Sequence, residues 1–414
     1  MILSQEYQAH WSPKQKIALR FLFSYITLYL LFMLMGFLFE SPLRWFAEYV
    51  LQWDADFKIA NTGSGDRTYD YVKLGLNAFL ALLITVIWSV LDRKRPAYNQ
   101  LFYWLRVIIR LTLFVAMLIY GLAKVFKGQF PDPTLTRLLQ PVGDLSPMGL
   151  AWTFMGHSVA YNIFIGFAEI LGGLLVIFRK TMTLGSLIVI GVMSNVAMMN
   201  FTYDIPVKLW SVHLVIFASV LALADYKRIL GVFIKNDSTA PLNHYVVLTN
   251  RSFKKVITVV KVLVTVVMVG ATVLQYFIQV KLSASSNKSA LYGIWEAEVF
   301  VKGNDTIPPL ITDTYRWRYL LLDQRETAHT RKMNDVLVPY EFETDTLAKT
   351  MTLYSSNGEV AHPFQYELRD TDRLQLTGLL HGDSIQVTLK KKPLESFELL
   401  NRGFNWINES PYKP

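Results

Sequence analysis

Seven apolar runs, each long enough or nearly so to cross a bilayer at about 1.5 Å per residue, decide what this chain can become. They lie near 17–39, 72–91, 101–123, 157–178, 183–200, 207–224 and 256–279. Inside hydrocarbon the backbone must satisfy its own polar groups, so each run is read as a helix. The fifth and sixth are short and carry polar residues. The chain has 414 residues, 52% of them hydrophobic, with mean hydropathy +0.29. A polytopic membrane protein with a soluble part reads this way, and few soluble domains do. No cysteine is present, which removes disulfides, thiolate metal sites, c-type haem attachment and any thiol relay from the chain. The opening Met-Ile-Leu-Ser-Gln-Glu leads to no cleavage site after the first run, so no removable signal peptide is expected.

Lysine and arginine set the expected orientation. The N-terminal segment carries Lys14, Lys16 and Arg20, and Arg93-Lys94-Arg95 follows the second span. Arg179-Lys180 follows the fourth, and Lys227, Arg228, Lys235, Arg251, Lys254 and Lys255 follow the sixth. These four segments belong together on the cytoplasmic side. The net charge of +9 is thereby a topology signal, and the 227–255 stretch suits anionic lipid rather than nucleic acid. Alternate connections differ: 40–71 is acid-rich, with Glu48, Asp54, Asp56, Asp66 and Asp70, and 125–156 carries Pro131, Pro133, Pro141 and Pro147. An odd number of spans puts the C-terminal domain outside.

From about Leu291 the period changes to two. Ile385, Val387 and Leu389 share one face of Asp383–Lys390, and alternation recurs in 373–377 and 349–354. Turn signals separate the runs: Ser356-Asn357-Gly358, Asp370-Thr371-Asp372 and His381-Gly382-Asp383. Roughly eight short strands imply a closed up-and-down barrel or a sandwich. Gly293-Ile294-Trp295 resembles the opening of lipocalin-like barrels, and Ser283–Ser289 reads as a short flexible tether. The expected domains are a two-span hairpin with outer loop (1–100), a four-helix core (101–230), a basic loop with the last span (231–282), and a tethered β domain (283–414).

Glu169 is the only formal charge between Tyr161 and Phe178. A carboxylate at a span's centre costs about 2.5–3.5 kcal/mol on the mildest scales, so it needs a partner, a proton or a task. Gly172 and Gly173 follow, which admits a close helix on that face. Counting from the inner edge, Arg110 and Glu169 each lie about nine residues, or roughly 14 Å, deep. The matching depths predict an Arg110–Glu169 ion pair that fixes register, or shared water in the bundle.

A second polar layer is expected nearer the outer surface: Tyr120 and Lys124, Asn195, His213, His157 opening span four, and Asp204 with Lys208 at the outer turn. Histidine moves protons near neutral pH, and Lys or Tyr holds a developing oxyanion. The mixture suits the head group of a lipid-soluble quinone. Each member also has an ordinary structural reading, as snorkelling anchor, interhelical hydrogen bond or interfacial residue. His157 at the membrane edge and His213 deeper make a poor haem pair, and no metal, phosphate-loop or hydrolase motif appears.

Span three, with Arg106, Arg110 and Tyr120-Gly121-Leu-Ala-Lys124, resembles the first helix of the DoxX family. Span four, with Glu169-Ile-Leu-Gly172-Gly173, resembles that family's Glu-x-x-Gly-Gly helix. The resemblance covers about 101–224. It implies a four-helix membrane module of a bacterial inner membrane, with the β domain in the periplasm. In some members that module is a subunit of quinone-linked oxidoreductases.

Three functions follow as expectations. In the first, Glu169, His213 and Lys124 handle protons or charge, while Tyr120, Asn195, His157 and Asp204 bind a quinone and a partner subunit supplies the redox cofactor. In the second, the bundle anchors a β domain that binds a lipid or a protein. In the third, an Arg110/Glu169 gate couples protons to solute transport, although no inverted repeat is evident. The first demands an opening to the Tyr120 layer, the second a hollow barrel, and the third a path past Glu169.

Overall fold

The computed structural model describes residues 11–54, 57, 62–238, 251–285, 289–324, 326–355 and 360–412. Asp56, the Ser356-Asn357-Gly358 turn, the middle of the basic connection and residues 286–288 of the expected tether lie outside them. The rest of that tether is partly helical, since the last long helix continues to Ser285.

In chain order the helices are α1 (Pro13–Met35), α2 (Glu40–Phe46), α3 (Thr68–Leu91), α4 (Asn99–Val125), α5 (Leu135–Leu139), α6 (Pro147–His157) and α7 (Val159–Ile177), then α8 (Met182–Thr202), α9 (Lys208–Ala224), α10 (Tyr226–Leu230) and α11 (Arg251–Ser285). A four-residue α12 (Glu398–Asn401) closes the list. Two compact units result: Met1–Val125 with Ile163–Val273, and Phe126–Asn162 with Leu274–Pro414.

Among the described residues, five helices are long and apolar enough to cross a membrane: Pro13–Leu51 taken as one, α3, α4, α7 and α8. The sixth expected run, α9, has 17 residues and bends by 77° into Tyr226–Lys235. The seventh lies in α11, whose apolar piece is Thr265–Ile278. Local chemistry starts the first helix. Ser12 Oγ accepts from Gln15 N at 3.3 Å, Gln15 Oε1 accepts from Ser12 N at 2.9 Å, and Pro13 takes the first helical position.

Glycines set the spacing of α4, α7 and α8. A Cβ on Gly121 would stand 2.7 Å from Gly166 O, and one on Gly166 2.6 Å from Gly121 O, so α4 and α7 touch backbone to backbone. The expected close approach at Gly172-Gly173 is present and double. Gly173 packs on Met117 of α4, whereas Gly172 packs on Val189 of α8. The first three segments rich in Lys and Arg and the start of the fourth also gather at one end. Arg20 donates to Tyr98 Oη and to the Asp92 carbonyl, Arg179 to Tyr103 Oη, and Thr183 Oγ1 to Asp225. At the opposite end, Gly65 N donates to Pro206 O at 2.8 Å.

The second unit holds a closed antiparallel barrel. Its strands are β1 (Gly293–Lys302), β2 (Asp305–Thr306), β3 (Trp317–Leu322), β4 (Thr327–Lys332), β5 (Leu337–Asp345), β6 (Thr350–Ser355), β7 (Ala361–Asp370), β8 (Arg373–Leu380) and β9 (Asp383–Lys392). Apart from the two-residue β2, neighbours in sequence are neighbours in space, and β1 pairs with β9 to close the ring. The alternation expected in 383–390 is realised, with Ile385, Val387 and Leu389 inside. Trp295, Phe300, Trp317 and Phe364 fill the interior. Buried Arg316 spends its guanidinium on the carbonyls of Ala297, Glu298, Ile307 and Trp317 beside the bulge in β1. Outside the barrel, Leu135 and Leu139 of α5 cover Ile294, Tyr319 and Leu321. The Pro-rich 126–162 segment therefore folds with the β domain.

Gly166→Ala should destabilise the helical unit by about 1–3 kcal/mol, because the backbones must separate to admit a methyl. Thermal unfolding in detergent reads this, and an unchanged midpoint would contradict the backbone contact. His362 provides a second test. It is buried in the barrel wall, its Nδ1 accepts from His381 N at 3.3 Å, and the two rings lie 4.6 Å apart. Burial first, and the His381 charge second, hold its pKa below the ordinary 6.5. The folded state then binds fewer protons than the unfolded chain, so barrel stability falls as pH drops below about 6.5. His362→Gln should flatten that slope in urea melts of the full chain, and an unaltered slope would assign it elsewhere.

Candidate functional site

Glu169 does have a partner, and it is Lys124. Lys124 Nζ lies 2.8 Å from both carboxylate oxygens, with the two side chains only 5% and 2% exposed. The expected Arg110–Glu169 pair is absent. Arg110 donates instead to the carbonyls of Val176, at 2.8 Å, and Ile177, at the C-terminal end of α7 where carbonyls lack helical partners. The register of the two helices explains the difference. The Gly121–Gly166 contact sets Arg110 level with Val176 and Ile177, so the start of α4 runs on past the end of α7. Glu169 is seven residues, about 10.5 Å, further along. Helical side chains lean toward the N-terminus, so Lys124 reaches back to the level of Glu169. The fragments Gly121-x-x-Lys124 and Glu169-x-x-Gly172-Gly173 thus build one junction.

One turn before Lys124 stands Tyr120, whose ring lies 5.6 Å from Lys124 Nζ. Tyr120 lines a cavity of about 300 Å³ walled by Tyr29 of α1, Trp210 of α9, and Asp70, Lys73 and Asn77 of α3. The Tyr29 and Trp210 rings are parallel, 5° apart in plane with centroids 6.2 Å apart. Asp70 pairs with Arg67 at 2.9 Å and Lys73 at 3.0 Å. Asn77 is 1% exposed and donates to Tyr25 O at 3.4 Å.

His213 lies behind this wall. Its ring stacks on Tyr29 with centroids 3.9 Å apart. Leu209 O is 2.6 Å from Nδ1, and Tyr25 Oη is 2.8 Å from Nε2. A carbonyl only accepts, so Nδ1 carries a proton; in the neutral ring Tyr25 Oη then donates to Nε2. The contact locks Tyr25 and Tyr29, one turn apart on α1, against α9. Asp66 anchors the start of α9, its carboxylate accepting from Lys208 N at 2.7 Å and Leu209 N at 2.9 Å. A carboxylate there satisfies orphan amides and suits the positive helix end.

Of the residues expected in the outer layer, Tyr120 lines the cavity, and His213 and Lys124 support it from behind and below. Asn195 is exposed on α8. Asn200, about 140° around the same helix, makes the interhelical bond instead, donating to Ser211 Oγ at 3.0 Å. His157 is exposed and closes α6 rather than opening α7; the chain breaks at Ser158, where Asn162 donates to the carbonyls of Met155 and Ser158. Asp204 is exposed and pairs with Lys208 at 3.0 Å. Tyr29, Trp210, Asp70, Lys73, Asn77 and Asp66 were not singled out as site residues. Tyr25 with Tyr29, and Trp210 with His213 and Phe217, do sit at helical spacing in the sequence, and Asn77 is a lone amide in an apolar run.

Among the described residues no group of three or more His, Asp or Glu could hold a metal. Removing one member of the Lys124–Glu169 pair should cost about 3–5 kcal/mol, by leaving a buried charge alone. Lys124→Met with Glu169→Leu should recover most of the loss in a double-mutant cycle. Additive losses would refute the pairing.

Over 124 residues the chain is 36% identical to YwoB of Bacillus subtilis (strain 168), an uncharacterized protein; the match spans 30% of this chain and 79% of YwoB. No protein-family model and no solved structure matches.

Proposed function

The chain belongs to the family of YwoB, and we propose that its helical unit binds the head group of a lipid-soluble quinone, as a subunit of a membrane oxidoreductase. The observation that carries this reading is the aromatic cavity of about 300 Å³ between Tyr29, Trp210 and Tyr120. Its volume and flat ring walls suit one planar ring. Lys73 and Tyr120 line it and can donate to a quinone oxygen or hold a developing oxyanion. His213, shielded by Tyr29, fixes the wall. The Gly121-x-x-Lys124 and Glu169-x-x-Gly172-Gly173 fragments, on which the DoxX resemblance rests, meet directly below this cavity. A partner supplies the electron carrier.

In this reading the Lys- and Arg-rich end of the helical unit faces the cytoplasm of a bacterial inner membrane, and the barrel stands in the periplasm. The other two functions fit less well. Large side chains fill the barrel, which favours protein docking over a carried lipid. Glu169 is neutralised by Lys124 beside a glycine contact, an arrangement suited to holding helices rather than gating.

Full-length protein purified from its own membranes should retain extractable quinone, and a short-chain quinone should quench its tryptophan fluorescence saturably. Tyr29→Ala or Trp210→Leu should weaken binding by about tenfold, the value of one aromatic wall. No retained quinone and a flat titration would reject the proposal.

A further inference from the structure

After β9 the chain forms a small clasped loop that the helical cavity does not explain. Arg402 ties it at both levels: Nη2 donates to Asn408 Oδ1 at 2.9 Å, and the guanidinium carbon lies 3.9 Å from the centroid of the Tyr412 ring. Asn408 Nδ2 donates to Asn405 O at 3.1 Å and Asn405 Nδ2 to Gly403 O at 3.0 Å, folding the tip further. The tip then points its largest apolar groups outward. Phe404, Trp406 and Ile407 are 78%, 90% and 79% exposed, and the two rings touch edge to face at 5.0 Å. An ordered loop that holds three such side chains in water is costly unless something covers them.

We propose that this loop inserts into the interfacial region of the bilayer that holds the helical unit, and so moors the barrel to the membrane surface. Three observations select lipid as the occupant. Trp and Phe interleaved with Asn and Gly, with no acidic residue between Gly403 and Asn408, match the chemistry of the headgroup boundary. Only residues 286–292 separate α11 from β1, a length of chain of at most about 25 Å. The loop also leaves from the correct end of the barrel. Ile294 pairs with Lys392 and Trp295 with Lys391, so the end of β9 lies beside the start of β1, where the chain arrives from α11. The β5–β6 turn at that same end exposes Leu347 to 95%. This inference rests on α11 being a span, and it is independent of quinone binding.

The absence of cysteine allows a clean probe. Full-length Asn405→Cys, labelled with an environment-sensitive fluorophore and reconstituted in liposomes, should be quenched several-fold more by lipids spin-labelled near the headgroup than by an aqueous quencher. Asn304→Cys, in the turn at the far end of the barrel, should show the reverse. Replacing Phe404, Trp406 and Ile407 by Ser should make the Asn405 probe behave like the Asn304 one while leaving quinone titration unchanged. Equal aqueous access at both positions would overturn the proposal. Protection without lipid quenching would overturn it too, by assigning the tip to a protein surface.

Discussion

The Lys124–Glu169 ion pair is the constraint from which the helical unit follows. Two opposite charges held 2.8 Å apart where each is almost wholly buried must meet in geometry good enough to offset their desolvation. They do so only because Gly121 and Gly166 let α4 and α7 touch at the backbone. That contact fixes the sliding register of two otherwise greasy helices. It sends Arg110 to the free carbonyls at the end of α7 and leaves Tyr120, one turn before Lys124, facing the cavity.

The cavity is completed by polar contacts at the same end of the unit. Asp66 caps α9 from the loop before α3, and the Tyr25–His213 hydrogen bond joins α1 to α9. Each is a polar group in apolar surroundings with a defined partner, the condition under which such groups specify one packing. The rings of Tyr29 and Trp210 are consequently held parallel, with Asp70 and Lys73 beside them. A ligand entering a cavity whose walls are already held in place would spend little of its binding energy on ordering them.

Architecture was legible in the sequence wherever periodicity or composition dictates it. Long apolar runs gave α1, α3, α4, α7 and α8, and strict alternation gave the inward Ile385, Val387 and Leu389 of a closed barrel. Glu169 could be identified as needing a partner, but not matched with one, because depth counted from assumed span ends ignores register. Arg110 lies about two turns from the level of Glu169, and Lys124 reaches back to that level from the far end of α4. Asn195 failed for a related reason: a polar residue in a span has a facing as well as a depth, and Asn200 points inward. His157 was displaced by a helix break at Ser158, which Asn162 stabilises through contacts no local pattern reveals. The cavity walls escaped because they converge from α1, α3, α4 and α9, three of which are far apart in sequence.

We propose that the space between Tyr29, Trp210 and Tyr120 receives a quinone ring. Photolabelling of the membrane-embedded full chain with an azido-quinone, followed by peptide mapping, tests it most directly. Adducts should concentrate on 25–33 of α1, 70–77 of α3 and 207–213 of α9, and excess unlabelled quinone should suppress them. Adducts confined to the lipid-facing side of α8 around Asn195, or to the barrel, would contradict it.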